Sequence, residues 1–205
     1  MKSFLPLLTA SILVTLSSVS GRAQVVAPPI DLPPVIPNPA PVRPRLDFGD
    51  APNSYGTTLA ANGARHVATT ALRLGILTDI ELDGAPSVGA NGDDAAGVPD
   101  DEDGVIVPVF RPGVLVNVSV RVTGPCRLNA WVDWNRNGTF DVVEAIAVNR
   151  PLAAGVNLVP VLPPAGVVPG ATYSRFRINS AGGLGPTGPA TDGEVEDYRS
   201  YIVAR

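Results

Sequence analysis

Residues 133 to 144 read DWNRNGTFDVVE, and they hold the residues of this chain best spaced for chemistry. Asp133, Asn135 and Asn137 occupy positions 1, 3 and 5 of a D-x-[DN]-x-[DN]-G-x5-E pattern, with Gly138 at the sharp turn of position 6. Alternate side chains in such a loop converge on one centre. Thr139 at position 7 would add its backbone carbonyl, Asp141 at position 9 a direct or water-mediated oxygen, and Glu144 at position 12 two oxygens. The donor set supplies the six to eight hard oxygens that Ca2+ takes and offers no soft ligand. With three carboxylates and two amides, the expected dissociation constant is roughly 10⁻⁴ to 10⁻³ M. Phe140, the apolar residue at position 8, is expected to pack inward.

The remaining acids are grouped as well. Apart from Asp31, every Asp and Glu falls in one of five segments: DFGD (47–50), DIELD (79–83), GDDAAGVPDDEDG (92–104), the 133–144 loop and DGEVED (192–197). Carboxylates crowded together repel, so arginine or a metal ion must lie near them in the folded chain. The 92–104 segment fits no ligand template. It is either a solvated acidic loop or a second metal site, with Asp93, Asp101 and Asp103 as candidate ligands.

The elements that position these loops read as strands. In VLVNVSVRV (114–122) valine fills every even position and Leu115, Asn117, Ser119 and Arg121 lie between, the period of a half-buried antiparallel strand. TYSRFRIN (172–179) sets Phe176 and Ile178 against Arg175 and Arg177, while RLNAWVDW (127–134) and DYRSYIVA (197–204) are rich in aromatic and β-branched residues. Pro- and Gly-containing breaks separate them, and no long window has helical periodicity. The expected fold is an all-β antiparallel sandwich, of jelly-roll or immunoglobulin-like topology, with long acidic metal-binding loops.

Composition limits the partners. The chain has 205 residues, 45% of them hydrophobic, enough for one domain with appendages. Residues 1–23 have the layout of a secretory signal peptide: Lys2, an apolar run from Phe4 to Leu16, then small residues up to Ala23. Residues 24–45 form a Pro-rich linker expected to run as a semi-rigid tether, leaving 46–205 as the domain. Loss of Lys2 and Arg22 would make the net charge of −4 more acidic still. Neither nucleic acid nor anionic lipid is an expected partner, and no later segment is apolar enough to span a membrane. Cys126 is the single cysteine, so stability must come from a core, bound metal or both; the thiol itself is expected to be buried or half-buried.

Taken in order, DFGDAPNSYGT (47–57), GARH (63–66), LGILTDIELD (74–83), GDDAAGVPDDEDGV (92–105), AWVDWNRNGTFD (130–141) and GEVEDY (193–198) resemble the signatures of the bacterial GEVED domain family. The resemblance implies a secreted β-sandwich module of cell-surface or adhesin-like proteins, with calcium sites and no assigned catalysis. Residue by residue it supports Asp133, Asn135, Asn137, Asp141 and Glu144 as ligands, and marks Asp47, Asp50, Glu194, Glu196 and Asp197 as a second polar cluster. The residues supply a reason for that cluster too. In an extended segment Glu194 and Glu196 share a face with Val195 opposite, so they could close a metal site with Asp47 and Asp50 or pair with Arg65.

An alternative is a secreted glycoside hydrolase-like enzyme using two of Glu81, Glu102, Glu194 and Glu196. Against it, His66 is the only histidine, nucleophile elbows and phosphate loops are missing, and Trp131, Trp134 and Tyr198 make at best a small sugar-stacking platform. His66 reads as a structural hydrogen-bonding residue. The expectation is therefore a non-enzymatic, Ca2+-binding module, secreted or at the bacterial cell surface. Its role is structural, adhesive or ligand-binding, toward an extracellular polysaccharide or a surface or matrix protein.

Overall fold

Valine alternation produces the central strand, but two residues later than its pattern begins. Gly113, at φ 69°, donates to Pro163 O, and Val114 N closes a turn onto Arg111 O. Val114 and Leu115 are therefore exposed, and the strand runs from Val116 with Val118, Val120 and Val122 buried.

The computed structural model describes residues 45–92 and 101–204. The expected signal peptide, the linker before Arg45, and Asp93 lie outside the described residues. Ten strands follow in chain order: β1 (Leu46–Phe48), β2 (Arg65–Val67), β3 (Val105–Ile106), β4 (Val116–Val122), β5 (Cys126–Val132), β6 (Ala145–Leu152), β7 (Gly155–Val161), β8 (Gly170–Asn179), β9 (Pro189–Ala190) and β10 (Glu194–Ile202). The helical elements among the described residues are three single 3-10 turns, at Asn53–Tyr55, Leu59–Ala61 and Val142–Glu144. All belong to one compact unit, Val42–Arg205.

The strands form three sheets, ordered β10-β8-β5-β6, β3-β4-β7 and β1-β2-β9. All pairs are antiparallel except β2 with β9. The first two sheets share one apolar core in a sandwich-like arrangement. Leu128, Ala130, Val132, Phe176, Ile178 and Ile202 come from one sheet, and Val118, Val120, Val122, Val159 and Val161 from the other. Cys126 joins this core, where burial pushes its thiol up to about 11. Both proline-bearing long strands, β6 with Pro151 and β7 with Pro160, are at sheet edges, where a missing amide costs no ladder bond.

The third sheet explains why β8 is buried on both faces. Phe176 and Ile178 enter the core, whereas Arg175 and Arg177 project the other way beneath β2 and the 185–188 loop. A strand that reads as half-solvated from its alternating arginines is buried from Ser174 to Asn179, because those arginines gather backbone carbonyls. Trp131 and Trp134 are buried in two different apolar clusters, so they form no sugar-stacking platform.

Candidate cation sites

The 133–144 loop leaves the end of β5 and returns through the Val142–Glu144 turn into β6. Its backbone needs Gly138 at φ 85°, a conformation costly for residues with a Cβ. Asp133 is fully buried: Oδ1 accepts from Asn137 N (3.1 Å), and Oδ2 from Gly138 N (2.9 Å) and the Tyr55 hydroxyl (2.7 Å). Glu144, 2% exposed, closes the loop. Its Oε1 accepts from Trp134 N and Asn135 N, and its Oε2 from Asp141 N.

Between these two acids the amide groups of Asn135 and Asn137 both donate to Asp141 Oδ2, at 3.3 and 2.9 Å. Thr139 donates its amide and hydroxyl to Asn137 Oδ1. Thus Asp133, Asn135, Asn137, Thr139, Asp141 and Glu144 belong to one hydrogen-bonded set. Among the described residues neither Asp133 nor Glu144 has an ion pair, and burial, with Asp133 nearby, pushes the Glu144 carboxyl up. Buried negative charge supplied only with neutral donors fits a bound hard cation.

Residues remote in sequence hold this loop. Phe140 is buried against Tyr55, with ring centroids 4.7 Å apart, and Trp131 completes the cluster. Thr172 donates to Asp133 O (2.5 Å), and Arg136 donates to Ala171 O and Pro169 O. No local pattern identifies Tyr55, 78 residues from Asp133.

The second group of acids divides between the two faces of β10. Glu194 and Glu196 share the face of Ile202, while Val195 and Asp197 face Arg177 and Arg175. The turn into β10 requires Gly193 at φ 86°, where a Cβ would lie 1.9 Å from Ile178 O. Asp197 leaves the cluster altogether: both its oxygens meet Arg175, at 2.7 Å each, with both side chains fully buried. Arg175 also donates to Tyr55 O, Gly56 O and Pro186 O.

Arg177 hydrogen-bonds to no carboxylate among the described residues. It donates to Gly185 O, Thr187 O and Gly188 O, and its Nε donates to His66 Nε2 at 3.1 Å. Arginine can only donate, so His66 accepts at Nε2 and donates from Nδ1 to Asp192 O at 2.8 Å. Burial and the adjacent guanidinium hold His66 well below the usual histidine range, and burial brings Arg177 down to about 9.

On the other face, Glu196 accepts from Gly104 N and the Tyr198 hydroxyl, and burial pushes it up to about 8. Glu194 accepts from Leu74 N through Oε2. Asp47, on β1, accepts from Val195 N at 2.9 Å. Asp101 accepts from Asp79 N at 3.0 Å.

Among the described residues, Asp47, Asp101 and Glu194 are the three carboxylates whose oxygens all lie within 4.8 Å of one another. Burial, then repulsion from Glu194 and Glu81, raises Asp47 well above the carboxylate range; burial pushes Glu194 up to about 9. Other candidates lie elsewhere. Asp50 accepts from Gly92 N, Asp103 from Ile76 N, and Arg65 donates to Gly63 O and Asn62 rather than to either glutamate.

A family model for the GEVED domain matches residues 127–201, from β5 through most of β10. Residues 127–201 are thus similar to the GEVED domain family. No curated protein and no solved structure matches it significantly. The matched span of the GEVED domain contains the whole 133–144 loop and the Gly193–Asp197 string, whereas Asp47 and Asp101 precede it.

Proposed function

We propose that this GEVED-domain chain is a secreted, calcium-binding module acting at the bacterial cell surface or outside the cell. Its fold is a β-sandwich of jelly-roll or immunoglobulin-like type, and its role is structural, adhesive or ligand-binding. The observation that carries the reading is the 133–144 loop: five oxygen-bearing side chains at calcium-loop spacing joined in one network, with two buried carboxylates and no basic partner among the described residues. Asp133, Asn135, Asn137, Asp141 and Glu144, with the Thr139 carbonyl, would hold the ion. Calcium would supply the positive charge that the buried carboxylates of Asp133 and Glu144 are not given by any basic side chain among the described residues.

The ligand of such a module would be an extracellular polysaccharide or a surface or matrix protein. A non-catalytic role is supported by Glu194 and Glu196, which are buried and engaged by backbone amides and Tyr198 rather than open to substrate.

Thermal unfolding of the full chain with Ca2+, with Mg2+ and with chelator tests the calcium reading. A Ca2+-specific rise in midpoint, reduced in an Asp133→Ala, Glu144→Ala variant, is expected. An equal rise in that variant would remove the loop from the account.

A further inference from the structure

We propose that Asp47, Asp101 and Glu194 form a buried site for a hard divalent cation of Ca2+ size, separate from the 133–144 loop. The ion would join β1 and the Asp101 stretch to the start of β10.

The distances suit such an ion. Oxygens around Ca2+ stand about 2.4 Å from it, so two ligands on one sphere are separated by at most about 4.8 Å. The three carboxylate oxygens already lie within 4.8 Å of one another. Mg2+ takes shorter bonds, near 2.1 Å, and keeps several waters. Asp47 at 1% exposure, Asp101 at 7% and Glu194 at 0% are withdrawn from solvent, and the rest of a six- to eight-oxygen shell would come from backbone carbonyls or enclosed water.

Hydrogen bonding orients the carboxylates. Asp47 commits Oδ2 to Val195 N, and Glu194 commits Oε2 to Leu74 N. Their other oxygens, Asp47 Oδ1 and Glu194 Oε1, are buried without a hydrogen-bond partner among the described residues, the Thr78 hydroxyl being the polar side chain near Glu194. One oxygen of each is anchored by backbone, and the second is left for a ligand, the usual arrangement of an oriented metal-binding carboxylate. A buried acceptor without a donor is costly unless something positive reaches it.

Among the described residues no basic side chain hydrogen-bonds or ion-pairs with Asp47 or Glu194, although the Arg177 charge acts on Asp47 from a distance. Arg175 is committed to Asp197, and Arg177 to carbonyls and His66, on the other face of β10. With no histidine or cysteine in the trio, the donor set is purely hard oxygen. The consequence is a tie between residues as far apart as Asp47 and Val195, 148 positions, in a chain whose single cysteine forms no disulfide.

Three forms of the full chain test this: wild type, Asp133→Asn and Glu194→Gln. Bound Ca2+ is counted by elemental analysis after equilibrium dialysis, and unfolding midpoints are read in Ca2+, Mg2+ and chelator. Asp133→Asn should retain one ion and a Ca2+-dependent rise of about 5 °C or more at saturation. Glu194→Gln should bind one ion fewer than wild type and lose that part of the rise. Should Glu194→Gln fail to fold, Asp47→Asn is read in the same way. Equal ion counts in wild type and the β10 or β1 variant overturn the buried site, as does an equal response to Mg2+ for its Ca2+ size. Equal counts in wild type and Asp133→Asn overturn the loop reading instead, so the two failures are distinct.

Discussion

On one face of β10, Asp197 meets the Arg175 guanidinium through two 2.7 Å hydrogen bonds; on the other, Glu194 meets a backbone amide, Asp47 and Asp101. Both groups are withdrawn from water, and both lie at the junction of β10 with the N-terminal strands. The first carries its own counter-charge, in a planar fork that satisfies both carboxylate oxygens. The second gathers acids and leaves two oxygens without donors. A buried charge is tolerated when its partner is built in, and becomes a demand on the surroundings when it is not.

The comparison is broken most directly from the arginine side. Arg175→Met removes the partner of Asp197 and the donor to three loop carbonyls, and should cost about 3–5 kcal/mol in urea unfolding. A loss below about 1 kcal/mol would mean that the Arg175–Asp197 pair adds little to the folded state.

The 133–144 loop is intermediate, since its buried Asp133 is closed by neutral donors. Tyr55→Phe deletes one hydrogen bond to that carboxylate and should cost about 1.5–3 kcal/mol, with a weaker Ca2+ response. An unchanged denaturation midpoint would show that Tyr55 serves through its ring alone.

His66 sharpens the arginine side through pH. Its folded pKa is depressed, so the unfolded chain binds the proton more readily. The stability it contributes is present above its unfolded value of about 6.5 and is lost as pH falls toward the folded one, by at most about 1.4 kcal/mol per pH unit. His66→Gln should flatten that slope in chemical denaturation measured between about pH 6.5 and 5.

The smallest effect has the opposite sign. In chelator, Glu194→Gln should leave stability unchanged or raise it by up to about 1 kcal/mol, because an amide replaces a buried acid among acids. The same substitution should be destabilising relative to wild type in Ca2+. Loss of stability equal in both conditions would argue against the contrast between the two faces.

Much of the main sandwich was legible in chain order. Val118, Val120 and Val122, Phe176 and Ile178, and Glu194 with Glu196 each share the face their alternation predicts. The strands β6 and β7 were not, because Pro151 and Pro160 suggest breaks and only their position at sheet edges makes them harmless. The family resemblance read from residue 47 onward is matched by the family model over residues 127–201.

The sequence by itself determined strand periodicity, the oxygen spacing of the 133–144 loop and the glycines at its turn and before Glu194, since these depend on neighbours a few residues apart. Only the tertiary structure decided which charges are closed by arginine. Asp197 and Arg175, 22 residues apart, became partners through strand pairing, while Asp47 and Glu194 were brought together from opposite ends of the domain. Compensation of buried charge acts through space over a few ångströms, and that distance is set by the packing of sheets.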